Sequence, residues 1–368
     1  MKDEKKAPKL RFKGFTDDWE QCKLGDVAEI TAGGDINKGD LINKGKYPVI
    51  ANGLNNNGIV GYSNKYKIDA PAVTITGRGT LGVATARFIN FTPIVRLISV
   101  KSDLDPIYLE NAINNTHFVI ESTGVPQLTA PQVKRQKVIL SNCHIEQTKI
   151  GSLLSTLDHT ITLHEEKKHQ LESLKSALLQ KMFANKNGYP AVRFEGFSNE
   201  WEHCKLGDVA DITTGSRNHQ DSVTDGKYPF FVRSDKVERL NEYDFDTKAI
   251  LVPGDGRIGE IFHYYNGKFA LHQRVYKVDN FNGINELFLL GLFKYSFKEH
   301  ALRLNAQGTV PSLRLPMFTN WSISVPMITE QERIGVFFQK LEQTISLYDH
   351  KLELLKKVKR SMLQAMFI

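Results

Sequence analysis

Two long stretches decide the fold of this chain: EQTKIGSLLSTLDHTITLHEEKKHQLESLKSALLQKMF at residues 146–183 and EQERIGVFFQKLEQTISLYDHKLELLKKVKRSMLQAMF at residues 330–367. Apolar residues recur three and four positions apart in both, which predicts α-helices with a narrow, coiled-coil-like seam. Each helix would be roughly 55 Å long. A helix of this kind needs a partner, and the other copy is the obvious one. The residues expected to pair are Leu157, Ile161, Leu171, Leu178, Leu341, Ile345, Leu352 and Leu355.

The regions that precede these helices are repeated as well. RFKGF at residues 11–15 returns as RFEGF at 193–197, and WEQCKLGDVA at 19–28 returns as WEHCKLGDVA at 201–210. A fixed offset of this kind identifies an internal repeat. We therefore predict four segments: globular domain 1–143, spacer helix 144–185, globular domain 186–327 and spacer helix 328–368.

Each globular part is predicted to be mixed α/β with short strands. Alternating and β-branched runs between Gly and Asn turns predict strands at 47–51, 72–76 and 93–100, and at 230–232, 249–252 and 274–278. A capped helix is expected after Asp105-Pro106, and another near residues 286–297. Thr329 and Glu332 have the spacing of a capping box, which would start the second long helix.

Composition narrows the class of protein. The net charge of +7 and the pI near 9.0 are compatible with a polyanionic partner without requiring one. The three cysteines form no Cys-x-x-Cys pair, which argues against a zinc site or a disulfide framework and fits a reducing cytosol. The first nine residues are charged, unlike a signal peptide, and no apolar run is long enough for a membrane span.

Motifs for catalysis are missing from the sequence. There is no phosphate-binding Gly-x-x-x-x-Gly-Lys-Ser/Thr loop and no Asn/Asp-Pro-Pro-aromatic motif of an amino-methyltransferase. The histidines do not have the spacing of metal ligands. We expect no catalytic residue, no metal and no cofactor in this chain.

Two glycine-rich turns, residues 76–82 and 253–259, each follow a predicted strand and carry an arginine, Arg78 or Arg257. Such a turn allows close approach to a phosphate, and arginine can fork onto phosphate or guanine, although a hairpin with a solvent-facing arginine explains the same pattern. Other loops carry side chains that suit base-edge hydrogen bonding. The candidate DNA-contacting residues are Asn55, Asn57, Arg78, Thr80, Arg217, Asn218, Arg233, Ser234, Arg257, Gln273 and Arg274.

The whole chain resembles the specificity subunit of type I restriction–modification enzymes. The resemblance is carried by the repeated Trp…Lys-Leu-Gly-Asp start at Trp19 and Trp201 and by YPVIANG at 47–53. It is also carried by AILVPGDGRIGEIFH at 249–263 and by the Glu-Gln start and Met-Phe end of each long helix. One departure is that the proline before the second helix, Pro326, has Leu140 or Ser141 in its place before the first helix.

The resemblance implies a fold and a role. Each globular part would be a target-recognition domain for one half of a bipartite site on double-stranded DNA. The two helices would pack antiparallel, giving pseudo-two-fold symmetry and setting the gap between the half-sites. Two modification subunits, which use S-adenosylmethionine, and restriction subunits, which use ATP and Mg, would assemble on this cytoplasmic scaffold.

Two other functions remain open at this point. One is the specificity module of a single-chain restriction–methyltransferase enzyme, against which the missing catalytic motifs argue. The other is a coiled-coil adaptor that binds no DNA, which predicts no salt-dependent DNA binding by its complex.

Overall fold

The computed structural model describes residues 7–36, 38–118, 126–184, 188–305 and 311–367. Contacts within the chain divide it into two units: unit 1, Met1–Glu165 with His350–Ile368, and unit 2, Glu166–Asp349. Both divisions fall inside long helices, so each unit contains a segment of both helices. The predicted boundary between residues 185 and 186 lies outside the described residues.

Unit 1 is mixed α/β with short strands, as predicted. The elements, in chain order, are β1 (Glu20–Lys23), α1 (Leu24–Val27), β2 (Glu29–Ala32), β3 (Tyr47–Ile50), β4 (Ile59–Ser63), β5 (Ala72–Ile75), β6 (Ala84–Arg87), β7 (Thr92–Pro93), β8 (Ile98–Lys101), α2 (Pro106–Asn114), α3 (Ala130–Arg135), β9 (Lys137–Leu140) and the first part of α4 (His144–Met182). The strands form sheets with the orders β1-β9, β2-β8-β5-β6 and β4-β3-β7.

Local sequence explains the start of α2. The carboxylate of Asp105 accepts hydrogen bonds from the amides of Ile107 and Tyr108, and Pro106 occupies the first turn, where no amide hydrogen is needed. The prediction of a capped helix here is confirmed. The prediction of one strand over residues 93–100 is wrong, because Val95 and Arg96 adopt left-handed φ angles of 53° and 63° and separate β7 from β8.

Unit 2 has a related arrangement, with two sheets in place of three among the described residues. The elements after the remainder of α4 are β10 (Glu202–Lys205), α5 (Leu206–Val209), β11 (Asp211–Thr214), β12 (Tyr228–Phe231), β13 (Val237–Leu240), β14 (Phe245–Pro253), β15 (His263–Leu271), β16 (Val275–Asp279), α6 (Glu286–Leu292), α7 (Lys298–Leu304), α8 (Leu315–Thr319), β17 (Ser322–Val325) and the first part of α9 (Ile328–Met366). The strands form sheets with the orders β10-β17 and β11-β16-β14-β15-β12-β13. The helix predicted near 286–297 is confirmed: α6 continues through a π-helical turn at Phe293–Phe297 into α7.

The long helices run antiparallel within each unit. In unit 1, Lys356 pairs with Glu165 and Lys359 with Asp158, both at 2.5 Å. Unit 2 pairs Lys168 with Asp349 at 2.6 Å and Lys175 with Glu342 at 2.7 Å. Of the predicted seam residues, Ile161 and Leu352 are buried. The others are half-buried: Leu157, Leu171, Leu178, Leu341, Ile345 and Leu355.

The C-terminal ends of the helices enter the two cores. Phe367 ends the second copy and packs in unit 1 against Trp19 and Tyr108, at ring centroid distances of 6.1 and 5.6 Å. Phe183 ends the first copy and packs in unit 2 against Trp201 and Phe288, at 6.5 and 5.5 Å. Each repeated Met-Phe end therefore contributes a phenylalanine to a core that is formed mainly by the globular part of the same unit.

A buried glutamate anchors the start of each long helix. Glu146 accepts hydrogen bonds from Nε and Nη2 of Arg11 at 2.5 and 2.9 Å, and Glu330 accepts them from Nε and Nη2 of Arg193, both at 2.7 Å. Bidentate pairs of this kind fix geometry as well as charge. The repeated Arg-Phe-x-Gly-Phe and Glu-Gln motifs are thus two halves of one contact, which the sequence did not reveal.

The neighbouring glutamines repeat a second contact. Gln147 donates to the carbonyl of Ser141 at 2.7 Å, and Gln331 donates to that of Pro326 at 2.8 Å. The contact is therefore made in the first copy as well, although that copy has Ser141 in place of the proline. The predicted capping box is wrong, because α9 begins at Ile328 and Thr329 already lies inside the helix. The fold class predicted from the sequence is otherwise confirmed, whereas the four segment boundaries stay predictions.

Candidate nucleic-acid interface

Three loops of unit 1 meet through the side chain of Asn52. Its amide nitrogen donates to the carbonyl of Val95 at 2.6 Å, and its amide oxygen accepts from the backbone of Gly77 at 2.7 Å. These bonds join the loop after β3, the glycine-rich loop after β5 and the turn between β7 and β8. Both ends of Asn52 are occupied, so this residue positions the loops.

The predicted contact residues of unit 1 lie on these joined loops. Asn55, Asn57, Arg78 and Thr80 are all exposed. Asn57 has a left-handed φ of 52°, which asparagine tolerates better than most residues. Within the part of the chain that the structure describes, Arg78 has no ion-pair partner, so its guanidinium is available to a ligand.

The turn between β7 and β8 adds Arg96 to the candidate contact residues, although the sequence did not indicate it. Arg96 is exposed, and its Nη1 donates to Oε1 of Gln127 at 3.0 Å. The segment contains neither glycine nor asparagine, so nothing in the sequence signals a left-handed turn. The hydrophobic run instead predicted a continuous strand, so Arg96 was not among the predicted contact residues.

In unit 2, the loops after β11 and β15 are joined by their predicted contact residues. Gln273 donates from Nε2 to Oδ1 of Asn218 at 2.6 Å, and its backbone amide donates to the carbonyl of Arg217 at 2.9 Å. Arg217 itself pairs with Asp244 at 2.8 Å and Glu242 at 2.9 Å. Its hydrogen bond to Asp244 is the main cause of a raised pKa. This geometry favours a structural role for Arg217 and leaves Asn218 and Gln273 at the surface.

The remaining candidates of unit 2 surround two adjoining cavities of about 470 and 520 Å³ that share His219 and Arg233. Arg233 pairs with Asp255 at 3.2 Å, and the Ser234 hydroxyl donates to the carbonyl of Lys236 at 3.1 Å. Gln273 and Arg274 line the larger cavity. Arg233, Asn218, Gln273 and Arg274 are thus brought together on one surface.

Arg257 lies on the glycine-rich turn after β14 but is held differently from Arg78. It donates to Glu260 at 2.9 Å and lies 3.9 Å from Asp235. The hydrogen bond to Glu260 is the main cause of its raised pKa. The two glycine-rich turns therefore present different surfaces: a guanidinium without an ion pair in unit 1 and a partly neutralised one in unit 2.

The surface presents side chains that are suited to hydrogen bonding. Across residues 7–36, 38–118, 126–184, 188–305 and 311–367, no three His, Cys, Asp or Glu side chains lie close enough to hold a metal ion. The described helices also include none that is long and apolar enough to cross a membrane. Arginine, asparagine and glutamine on loops are the side chains that form bidentate contacts with guanine and adenine edges.

Comparison with known proteins identifies the family. A family model described as the type I restriction modification DNA specificity domain matches residues 16–173 and again residues 198–357. The chain belongs to this family. One match contains the joined loops of unit 1, and the other contains the cavities of unit 2.

Individual relatives are named as specificity subunits of type I restriction enzymes. The specificity subunit of the type I restriction enzyme EcoDI from Escherichia coli is 28% identical over 169 residues, which is 45% of this chain and 37% of the relative. The MjaVIII specificity subunit from Methanocaldococcus jannaschii is 26% identical over 182 residues, 46% of this chain and 42% of the relative. The matched segments thus span about two-fifths of the length of these specificity subunits.

Solved structures share the fold over nearly the full length. The S subunit of a type I restriction-modification system from M. genitalium aligns with a TM-score of 0.75 over 98% of this chain and 99% of its own, at 17% identity. A chain from a structure concerning assembly and conformational transition of the type I R-M system aligns with a TM-score of 0.52 over 97% of this chain and 98% of its own, at 16% identity. At these identities the likeness establishes the fold.

Proposed function

We propose that this type I specificity subunit is the non-catalytic DNA-recognition subunit of a restriction–modification complex, in which each unit recognises one half of a bipartite, gapped site. The observation that carries the proposal is a set of exposed polar side chains in each family-matched segment: Arg and Asn on the joined loops of unit 1, and Arg, Asn and Gln around one cavity of unit 2. The two sets differ in composition and in ion pairing, so the two half-sites would differ in sequence.

Within unit 1, Asn55, Asn57, Arg78 and Thr80 are the proposed contacts. Their loops are joined by Asn52, which restricts their relative movement and lowers the entropic cost of binding. In unit 2 the proposed contacts are Asn218, Arg233, Ser234, Arg257, Gln273 and Arg274, while Arg217 holds the loop through its two carboxylates.

The long helices are proposed to set the gap and to bind two modification subunits. Exposed aliphatic side chains recur at equivalent positions: Leu163 corresponds to Leu347, and Leu174 to Val358. Single exposed aliphatic residues are common, but the same pair on both helices suits two identical partners. In this scheme the modification subunits hold S-adenosylmethionine, the restriction subunits hold ATP and Mg, and the complex acts in the cytoplasm of a bacterium or archaeon.

Partner subunits also fit the modest net charge of +7. Affinity for duplex DNA depends largely on phosphate neutralisation by Lys and Arg. A subunit that contributes mainly base contacts needs fewer cations of its own, because its partners contribute the remainder.

Exchange of one globular part tests the proposal. Residues 1–143 are replaced by the equivalent segment of another specificity subunit, keeping Trp19 and Tyr108, which contact Phe367. Methylated adenines are then mapped in a host that carries the modification subunits. We expect one half of the methylated motif to change and the other to persist. A change in both halves, or in neither, would refute recognition of one half-site by each unit.

A second experiment tests the helices as the spacer. Replacing both Leu157 and Leu341 with Asp introduces charge into the half-buried seam and should abolish assembly and methylation. The matched control replaces the exposed Ser155 and Gln343 with Asp, at outward positions of the same helices. Normal methylation by the leucine double variant would show that seam pairing is not required.

A further inference from the structure

The turn that carries Arg96 in unit 1 has a counterpart in unit 2. Ile94–Leu97 follows β7, in which Pro93 pairs parallel with Ile50, and His272–Val275 follows β15, in which Leu271 pairs parallel with Phe231. Each turn is closed by a bond from its fourth amide to its first carbonyl, at 3.1 and 2.9 Å. Arg96 and Arg274 therefore occupy the same third position.

Both turns lie against the glycine-rich loop of their own unit. The carbonyl of Arg274 accepts from the amide of Gly254 at 2.7 Å. The carbonyl of Arg96 lies so near Gly77 that a Cβ added there would be 2.7 Å from it. Each arginine is thus placed beside the loop that carries Arg78 or Asp255.

The turn in unit 1 is held in an unfavourable conformation. A β-branched residue such as Val95 rarely adopts a φ of 53°, and such strain persists only where surrounding contacts impose it. The amides of Val95 and Arg96 donate to Gly34 and Gly33 at 3.1 and 2.9 Å, and Asn52 donates to the carbonyl of Val95. The backbone beneath Arg96 is therefore fixed before any ligand binds.

The side chain of Arg96 is oriented but not neutralised. Gln127 Oε1 accepts one of its hydrogen bonds, and no described carboxylate forms an ion pair with it. Gln127 corresponds to Ser312 in unit 2, because Leu128 and Leu313 donate to the equivalent glycines, Gly77 and Gly254. The two arginines share a backbone position, and the residue at the position of Gln127 differs between the units.

We propose that Arg96 and Arg274 each contact a guanine in their half-site and are specificity-determining residues of the complex. This inference rests on the proposed function. A guanidinium presents parallel N–H donors that match O6 and N7 of guanine in the major groove. Gln127 leaves the remaining donors of Arg96 free for that contact.

The test compares Arg96→Ala and Arg96→Lys with the wild-type chain, each assembled with its modification subunits. Adenine methylation is mapped across a host genome, and binding to the mapped site is measured against single-base variants over a range of salt. Arg274→Ala is the matched control for the other half-site. Each complex is checked for assembly and thermal unfolding, which should be unchanged because both arginines are exposed.

Both Arg96 variants should lose preference for one guanine in the first half-site by roughly 5- to 150-fold, the range of a bidentate base contact. Lysine keeps the charge but not the fork, so it should not restore the preference. Arg274→Ala should relax one position of the other half-site only. Uniform weakening of all sites, with a reduced salt dependence and rescue by lysine, would identify a phosphate contact and overturn the inference. An unchanged motif in both Arg96 variants would also overturn it. Absence of a methylated motif with the wild-type chain would instead refute the proposed function.

Discussion

Replacing Glu146 with Gln removes the charge from a fully buried carboxylate that accepts four hydrogen bonds. Arg11 supplies two of them, the Ser141 hydroxyl supplies one at 2.6 Å, and the Trp19 indole supplies one at 3.2 Å. Burial alone raises the pKa of this carboxyl, but the bonds from Arg11, Ser141 and Trp19 outweigh it, and the net shift is downward. The carboxylate is therefore ionised in the folded chain.

The expected loss of unfolding free energy follows from the removal of one partner of a buried ion pair. Such a loss typically destabilises by about 3 to 5 kcal/mol, because the remaining charge stays partly desolvated. Arg11 is the remaining charge, and its side chain is 12% exposed. At about 2 to 4 °C per kcal/mol for a unit of this size, the melting temperature of unit 1 should fall by roughly 6 to 20 °C.

The equivalent substitution Glu330→Gln supplies a matched control within the same chain. Glu330 accepts the Arg193 fork, but the indole nitrogen of Trp201 is buried without a partner among the described residues, and Pro326 stands near the position of Ser141. With two fewer bonds to a charged group, Glu330→Gln should cost roughly 1 to 3 kcal/mol less than Glu146→Gln.

Thermal and guanidinium unfolding of the full-length chain, followed by circular dichroism and tryptophan fluorescence, measures both changes. Trp19 reports on unit 1, and Trp201 and Trp321 report on unit 2. Exposed ion pairs contribute about 1 kcal/mol or less. A loss of unfolding free energy below that value for Glu146→Gln would refute the reasoning. Equal losses for both variants would refute the role assigned to the additional donors.

Four further predictions follow from the contacts of Asn52, Val95, Glu342 and Glu146. Asn52→Ala should weaken recognition of the first half-site, and Asn52→Asp, which retains the acceptor for Gly77, should restore part of it. Methylation mapping distinguishes this result from simple unfolding, which would abolish recognition of both half-sites. Val95→Asn should raise the melting temperature of unit 1 by about 2 to 4 °C, since asparagine tolerates a left-handed φ and Val95 is 42% exposed. Glu342→Gln should cost about 2 to 4 kcal/mol, because its lysine partners are partly buried, against about 1 kcal/mol or less for the equivalent, more exposed Asp158→Asn. Acid titration should show that the stability supplied by Glu146 is full above its unfolded pKa near 4.5 and is lost as the pH falls through its lower folded pKa. Glu146→Gln should therefore flatten the loss of unfolding free energy as the pH falls below about 4.5.

Periodicity and repetition in the sequence determined the architecture of this protein. The seam spacing predicted the long helices, and the matched motifs predicted two related globular parts. The cap at Asp105 was also predictable, because its signal involves only the next three residues. These features follow from local geometry and from comparison of the chain with itself, so they need no knowledge of distant contacts.

Only the tertiary structure decided which distant residues meet. Arg11 and Glu146 are far apart in sequence, and nothing in either motif indicates that one neutralises the other. Arg96 was hidden in an apparent strand because the contacts that impose a left-handed φ on Val95 come from Gly34 and Asn52. Loop conformation of this kind is set by long-range hydrogen bonds that overcome local preference, which is why the candidate interface was predicted less completely than the helices that support it.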